Sequence, residues 1–178
     1  MASKILRKAG FLICVTLIYL SACKKTEPGD PKPYIEYRGF EQIKNSGGVD
    51  SAGVLHFYFL DGDGDLGLGP MDTFPPFNPG GAHYYNFIIS MYEKQLGSWV
   101  KVVPQPPFPG GDTVGNSSRI PYLTPDGQIK TLEGDLFMDL FTNNPFSEWD
   151  TIKYECTIED RALHRSNQIS TPEIILQK

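Results

Sequence analysis

The amino-acid sequence predicts an all-β protein built as a single antiparallel β-sandwich. Apolar and polar residues alternate over several short runs, which is the pattern of a strand with one buried face. The 18 glycines and 15 prolines lie mainly between these runs, where turns need them. No run keeps a helical period for more than two turns. Many short strands separated by turns are typical of sandwiches and barrels.

Seven runs have strand character, and two of them show the alternation most clearly. In the second run, Leu55, Phe57 and Phe59 fall on one face. In the sixth run, Tyr154 and Cys156 fall on one face, with charged or polar residues on the other. The predicted strands are 34–43, 53–60, 83–93, 98–103, 129–141, 150–159 and 172–177.

The sixth run gives a sharper indication of the type of sandwich. Tyr154 stands two residues before Cys156, the spacing that strand F of immunoglobulin domains uses for its tyrosine corner. Two features depart from those domains, since the second run has no cysteine for a bridge between the sheets and no tryptophan follows in the next run. We therefore predict an immunoglobulin-like sandwich, with a jelly roll or another Greek key as the alternative. Cys156 is expected to be a small core residue.

The first 23 residues look like the leader of a bacterial lipoprotein. Three basic residues precede a mainly apolar stretch at 11–20, which is about half as long as a membrane-spanning helix. Leu20-Ser21-Ala22-Cys23 then resembles a lipobox, at which the leader is cut and the cysteine is acylated. The sequence predicts a signal peptide over 1–22 and lipidation of Cys23. We expect a lipid anchor in the outer membrane of the cell envelope, with the domain in the periplasm or exposed at the surface.

After Cys23 the chain is polar and proline-rich as far as Pro33. We expect a flexible tether over 23–33 and one sandwich domain over 34–178. Loss of the leader leaves 13 Lys and Arg against 21 Asp and Glu, a formal charge of about −8. Such a chain is repelled by nucleic acid and gains nothing from anionic lipid headgroups. The acyl chains must therefore hold it on the membrane.

The segment Asp61-Gly62-Asp63-Gly64-Asp65 is the strongest chemical signal in the domain. Three alternating carboxylates on a glycine-rich backbone curl around one point, as Ca²⁺ and other hard cations require. The segment resembles the start of an EF-hand loop, but Leu66 occupies the place of the turn glycine and Asp72 that of the bidentate glutamate. A strand, moreover, precedes it. The sequence predicts a Ca²⁺-type loop that is not an EF-hand, and a solvated Asp-Gly turn is the alternative.

A further acidic residue is expected beside this loop. In an immunoglobulin-like topology, the loop after the second strand and the loop before the last strand lie at the same end. The latter loop contains Asp160, which we predict completes the coordination, and Arg161, which alternatively pairs with an aspartate of the acidic loop. The first strand begins at that end too. The tether is therefore expected to emerge beside the site and to place it toward the membrane.

These features together resemble one group of proteins. The lipobox at Cys23, the Asp-Gly-Asp-Gly-Asp loop after an aromatic strand, and Asp-Arg-Ala-Leu-His-Arg-Ser-Asn at 160–167 are similar to those of small uncharacterised lipoproteins of Bacteroidetes-type bacteria. The resemblance covers most of the mature domain. It implies the domain boundaries and the pairing of the two loops, and it implies no activity.

The remaining signals leave two classes of function open. The loops 66–82 and 104–118 are rich in proline and aromatic residues and, with Tyr84, Tyr85 and Trp99, form a candidate platform for a glycan or a proline-rich peptide. The alternative is that these residues cover the edges of the sandwich. No Gly-x-Ser-x-Gly motif is present, and the three histidines have no metal-ligand spacing. We predict a Ca²⁺-stabilised binding or structural module, with a glycan-handling accessory protein or hydrolase as the alternative; no catalytic residue and no specific protein or glycan partner is indicated.

Overall fold

The computed structural model describes residues 29–104, 115–123, 131–144 and 146–178. Over these residues the chain forms eight strands and no helix. Every strand pair is antiparallel. The strands are β1 (Tyr34–Lys44), β2 (Asp50–Asp61), β3 (Phe87–Gln95), β4 (Ser98–Lys101), β5 (Leu132–Phe141), β6 (Thr151–Ile158), β7 (Ile169–Ser170) and β8 (Ile174–Ile175).

The strands form two sheets that pack against each other. One sheet has the order β1-β2-β5, and the other has the order β4-β3-β6-β7, with β8 also pairing with β6. The predicted all-β antiparallel sandwich is confirmed, and its immunoglobulin-like type stays a prediction. Within the described ranges, the chain contains no helix of the length and apolar character that crossing a membrane requires.

The core lies between β2 of the first sheet and β3 and β6 of the second. Leu55 and Phe57 of β2 are fully buried, whereas their neighbours along the strand are only half-buried, as the alternation predicts. Phe57 stacks on Phe87 of β3 with ring centroids 5.6 Å apart. Cys156 is buried and free, as expected of a core residue. Burial in these apolar surroundings raises the pKa of its thiol to about 12.

Tyr154 links the two sheets through its hydroxyl group. The side chain is fully buried, and the hydroxyl donates a 2.7 Å hydrogen bond to the carbonyl of Phe141, the last residue of β5. Because β5 belongs to the first sheet and β6 to the second, this bond joins the sheets. Its acceptor lies 13 residues upstream, rather than the few residues of the tyrosine corner.

Strand boundaries differ from the prediction in several places. The strand predicted over 83–93 begins only at Phe87, because the residues before it bond to a loop between β4 and β5: the carbonyl of Tyr84 accepts from the side chain of Arg119, and the side chain of Asn86 accepts from the backbone N–H of Ile120. The strand predicted over 172–177 contains only β8. The backbone N–H of Tyr154, which a longer strand would bind, donates instead to Oγ1 of Thr171 at 3.0 Å. β7 was not predicted, because two residues are too few for alternation to be visible.

The two ends of the sandwich carry different loops. At the first, here named the acidic end, β2 and β6 finish and β1, β3 and β5 begin; the other is named the opposite end. The backbone of Gly29 and Asp30 crosses Gly62 at the acidic end. A methyl group added to Gly62 would lie 2.2 Å from the carbonyl oxygen of Asp30. The described part of the predicted tether therefore meets the domain beside the acidic loop, as expected.

Candidate metal centre

The acidic loop turns sharply as it leaves β2. Asp61 is the last residue of the strand, and its Oδ2 atom accepts a 2.7 Å hydrogen bond from the backbone N–H of Leu66. Gly64 and Gly67 have φ angles of 73° and 111°, which glycine adopts without strain. The chain thereby folds back on Asp61 and brings the other two aspartates of the loop beside it.

The loop after β6 holds the fourth carboxylate in place. Both oxygens of Asp160 contact His164, with Oδ1 accepting its backbone N–H at 2.8 Å and Oδ2 lying 2.9 Å from ring Nδ1. The same loop donates the backbone N–H groups of Arg161 and Ala162 to Asp65. The two loops are therefore joined by hydrogen bonds of their own, and these bonds aim their carboxylates at each other.

Four carboxylates converge where the two loops meet. Asp61, Asp63, Asp65 and Asp160 each place one oxygen so that the four atoms lie within 4.8 Å of one another. The Oδ1 atoms of the first three are buried and receive no hydrogen bond, and Asp61 as a whole is 0 % exposed. Buried carboxylate oxygens normally have a partner. Three partnerless oxygens within one cluster of acidic groups indicate the place of a cation.

Burial and mutual repulsion both destabilise the ionised form of this cluster. Desolvation raises the pKa of Asp61 to about 7, with help from the charges of Asp63 and Asp65 and against a hydrogen bond from Leu66. Desolvation and the charge of Asp160 raise the pKa of Asp65. Desolvation likewise raises the pKa of Asp160. A cation among these oxygens would lower all of these pKa values, since an opposite charge favours the ionised form.

The donor set suits a hard divalent cation. All four candidate ligands are carboxylate oxygens, and the cluster contains no thiolate or imidazole of the kind that zinc prefers. Ca²⁺ binds oxygen at about 2.3–2.6 Å, so that ligands on opposite sides of the ion are roughly 5 Å apart. The four oxygens fit within that span. The structure therefore provides a buried aspartate cluster able to hold a metal ion.

Arg161 pairs with Asp72 and not with the acidic loop, so the alternative prediction for its side chain is wrong. Its guanidinium group bonds to both carboxylate oxygens of Asp72, with Nη2 lying 3.0 Å from Oδ1. The hydrogen bond from Arg161 lowers the pKa of Asp72. Asp72, which occupies the place of the EF-hand glutamate, thus lies outside the cluster. Its ion pair instead attaches the loop 66–82 to the loop after β6.

A second buried carboxylate beside the cluster was not predicted. Glu159 is 4 % exposed, and its two oxygens lie 2.6 Å from Nδ1 of His83 and 3.1 Å from Nη2 of Arg165. Two cationic or potentially cationic groups therefore contact this one carboxylate, whereas His164, on Asp160, is the one such group in ion-pair contact with the described aspartate cluster. Because His83 lies 76 residues away in the sequence, no local pattern indicates this contact.

Arg119 holds the proline-rich loop 66–82 against the acidic end. Its guanidinium group donates hydrogen bonds to four backbone carbonyls and lies over the ring of Tyr84, 5.0 Å from the centroid. Together with the Asp72–Arg161 pair, these contacts fix the loop at several points along its length. The backbone carbonyls that accept hydrogen bonds from Arg119, at 3.0–3.4 Å, are those of Gly69, Asp72, Phe77 and Tyr84.

The described aromatic residues of the predicted platform are not brought together. Tyr84 and Tyr85 lie before β3 at the acidic end, with ring centroids 4.9 Å apart. Trp99 lies in β4 towards the opposite end, where two lysines contact its ring. Most of the loop 104–118, including Phe108, lies outside the described residues. The described aromatics therefore belong to separate surfaces.

A cleft of about 490 Å³ opens near the opposite end, beside β3 and the end of β5. Its described lining is largely apolar and includes Phe141 and Phe146, which are both exposed. None of its described lining residues is an aspartate or glutamate. The described lining of this cleft therefore offers no carboxylate pair of the kind that glycoside hydrolysis uses, whereas Glu93 and Glu148 line the adjoining cleft.

The predicted lipidation site, Cys23, lies outside the described residues. Comparisons of the chain with protein-family models, curated proteins and solved structures find no match. The function is therefore argued from the residues of this chain alone.

Proposed function

We propose that the chain is a lipid-anchored protein of the bacterial cell envelope whose sandwich is stabilised by Ca²⁺ and serves as a binding or structural module. The observation that carries the proposal is the convergence of Asp61, Asp63, Asp65 and Asp160, three of which have a buried oxygen without a hydrogen-bond donor. Ca²⁺ suits them better than Mg²⁺, which retains several waters and rarely sits among so many protein carboxylates.

The proposed role of the ion is structural and follows from where the two loops originate. The acidic loop continues β2 of the first sheet, and Asp160 follows β6 of the second sheet. An ion between them fastens one sheet to the other at the acidic end. The hydrogen bond from Tyr154 to Phe141 joins the two sheets elsewhere. The two positive charges of the ion also offset part of the repulsion among the four carboxylates, which adds to desolvation in raising the pKa of Asp61.

The order of the strands supports the proposed immunoglobulin-like type. The first, second and fifth strands share one sheet, as strands A, B and E do in immunoglobulin domains. The third, sixth and seventh strands are neighbours in the other sheet, as strands C, F and G are. This order is what places the loops after β2 and β6 at one end.

The proposed anchor rests on the lipobox at Cys23 and on the place where the tether meets the domain. The leader has a basic beginning and an apolar stretch too short to span a bilayer. Gly29 and Asp30 lie against Gly62, so that the anchor is attached at the acidic end. Membership of the Bacteroidetes-type lipoproteins that the sequence resembles, and a periplasmic or surface location, are parts of the same proposal.

The proposed Ca²⁺ site is tested by calorimetric titration of Ca²⁺ into the mature chain, together with thermal melts in Ca²⁺ and in EDTA. At a free Ca²⁺ concentration of 100 times Kd, the free energy of unfolding should rise by about 2.7 kcal/mol. For a domain of this size the melting temperature should then rise by roughly 5–10 °C. Asp63→Asn should weaken binding, whereas Asp139→Asn, on the exposed face of β5, should not. If the titration shows no heat and the melting temperature does not change, the proposal that the chain binds Ca²⁺ is wrong.

A separate experiment tests the anchor. Cells that express the chain are fed radiolabelled palmitate, and the mature protein is examined for label and for co-sedimentation with membranes. Acylation of Cys23 predicts labelled, membrane-bound protein, and Cys23→Ser should abolish both. Unlabelled wild-type protein in the soluble fraction would refute the anchor without affecting the ion.

A glycan-handling accessory protein or hydrolase is the second candidate, and the apolar cleft favours it. Exposed Phe141 and Phe146 beside a cleft of about 490 Å³ provide aromatic surface on which a sugar ring can stack. Titration of oligosaccharides from the bacterial cell wall should then quench intrinsic fluorescence, and Phe146→Ser should remove the effect. Equal signals from wild type and variant would eliminate this cleft as the binding site.

A further inference from the structure

The loop 66–82 carries an apolar tip, residues 70–76, that faces solvent. Met71 is 80 % exposed and Phe74 is 74 % exposed. Pro70, Thr73, Pro75 and Pro76 are exposed as well. We infer that this apolar tip inserts into the lipid surface to which the chain is anchored. The inference rests on the proposed anchor and extends it from attachment by acyl chains to direct contact between the domain and the bilayer.

The charge of the loop suits a lipid partner. Among residues 66–82, Asp72 is the one ionisable side chain, and it is paired with Arg161. The mature chain as a whole has a formal charge of about −8, so that a loop of this length with a single, paired charge stands out. A bilayer excludes unpaired charge and accepts apolar and aromatic side chains at its interface. A polar or highly charged partner gains little from such a surface.

The tip is held in place before it meets a partner. Arg119 bonds to four backbone carbonyls of the loop and its base. The pair between Asp72 and Arg161 lies within the tip itself and attaches it to the loop that carries Asp160. Insertion of a preformed loop loses less conformational entropy than ordering a flexible one. Exposure of Met71 and Phe74 is therefore a property of the folded loop.

The position of the tip supplies the reason for choosing a membrane. The tether meets the domain at Gly62, between two of the clustered aspartates. Five residues lie between Cys23 and Gly29, so that the reach from one to the other is roughly 20 Å when fully extended. The acidic end is thus confined near the anchoring surface, and the tip is bound to that end through Asp72. Leu96, which is 91 % exposed, lies in the turn between β3 and β4 at the opposite end and is not so confined.

The test uses an artificial anchor in place of the acyl chains, so that the result does not depend on acylation of Cys23. The chain from Lys24 onward carries an N-terminal hexahistidine tag and is held on phosphatidylcholine vesicles containing nickel-chelating lipid, in excess Ca²⁺. All described residues are retained, since the structure begins at Gly29. An environment-sensitive fluorophore is attached at Phe74→Cys or, as the matched control, at Leu96→Cys. Cys156 does not compete for the label because it is buried.

Insertion predicts a blue-shifted emission at position 74 and quenching by nitroxide-labelled lipid several-fold stronger than at position 96. Equal and weak quenching at both positions would overturn the inference. Met71→Ser with Phe74→Ser should lower vesicle binding roughly tenfold at limiting chelating lipid, with an unchanged melt and Ca²⁺ titration as evidence of folding. An unchanged vesicle affinity would also overturn it, as would a label at position 74 that responds to soluble cell-wall glycan and not to lipid.

The outcomes separate this inference from the proposed anchor. Strong quenching at position 74 together with unlabelled Cys23 in cells would refute the anchor and retain the lipid contact. Acylated Cys23 with a solvent-exposed label at position 74 would retain the anchor and refute the lipid contact of the tip.

Discussion

The two ends of the sandwich both bury carboxylates, but they stabilise them differently. Glu93, towards the opposite end, is 2 % exposed, and neutral donors bond to both of its oxygens. Asn144 donates to Oε1 at 3.0 Å, and Ser147 donates to Oε2 at 2.8 Å. Asp61, at the acidic end, is as deeply buried, but its Oδ1 atom has no donor and three further carboxylates surround it.

The comparison shows which feature indicates a cation. Burial alone does not, since the carboxylate of Glu93 is satisfied by neutral groups. A partnerless oxygen alone does not either. Asp50 has a buried Oδ1 atom without a donor, yet among the described residues it belongs to no cluster of candidate ligands. Convergence of several such oxygens is what separates the acidic end from the opposite end.

The largest predicted difference between the ends is the response of Asp61 to pH. Its pKa is about 7 in the folded chain against an ordinary 3.8. Because the folded form holds this proton more tightly, the associated stability is complete below pH 3.8 and is lost as pH rises through 7. In EDTA, this group should lower the free energy of unfolding by up to about 4 kcal/mol over that window. Urea unfolding at pH 5 and pH 8 samples the upper part of this window, where a loss of about 3 kcal/mol is expected.

Asp61→Asn is the control for this prediction, because other carboxylates titrate in the same range. Asp65 and Asp160 also have raised pKa values, so their contributions to stability fall as pH rises in the same way. The difference between wild type and variant gives the part of the pH dependence that requires the Asp61 carboxyl. Excess Ca²⁺ should remove the difference in slope, since the cation then takes the place of the proton. Parallel pH curves in EDTA would contradict the raised pKa.

The second prediction concerns the carboxylate at the opposite end. Glu93→Ala leaves the half-buried donors of Asn144 and Ser147 without this acceptor, which should lower the free energy of unfolding by about 2 kcal/mol. The loss should be the same in Ca²⁺ and in EDTA, because Glu93 lies outside the cluster. Glu41→Ala, at an exposed position, should change stability by less than about 0.5 kcal/mol. A loss that depends on Ca²⁺ would break the distinction between the two ends.

The alternation of apolar and polar residues made the sandwich predictable. Asp160 became a candidate metal ligand because its loop was expected at the same end as the acidic loop. Leu55 and Phe57 alternate with polar residues because the local period of a strand decides which side chains are buried. Asp160 was chosen because two loops of a sandwich meet at one end, which depends on the order of strands and not on atomic detail. The structure brings its carboxylate to the other three.

The contacts that the sequence did not predict depend on the path of long loops. Arg161 could have reached several carboxylates, and its choice of Asp72 follows from how the loop 66–82 folds over the acidic end. Glu93 had a visible signal, since it continues the inward face that carries Phe87 and Ile89, and a carboxylate on that face requires donors. The sequence contained no signal for the identity of those donors, which lie some 50 residues away.

The smallest predicted effect concerns the bond that joins the sheets through Tyr154. Tyr154→Phe keeps the buried ring and removes the hydroxyl, leaving the carbonyl of Phe141 without this donor. The free energy of unfolding should fall by about 1 kcal/mol. Urea unfolding in EDTA and in Ca²⁺ measures the loss, and Tyr122→Phe, at an exposed ring, is the matched control.

The same variant tests whether the sheets are fastened independently at two places. If the Tyr154 bond and the ion act separately, Tyr154→Phe lowers stability equally in EDTA and in Ca²⁺ and leaves the Kd for Ca²⁺ unchanged, because distant sites contribute additively. If loss of the bond lets the sheets shift, the loops after β2 and β6 move apart and Ca²⁺ binds more weakly. An increase in Kd beyond about threefold corresponds to a coupling free energy of more than about 0.6 kcal/mol between the Tyr154 hydrogen bond and the ion site. Such an increase would show that the two contacts stabilise one rigid unit.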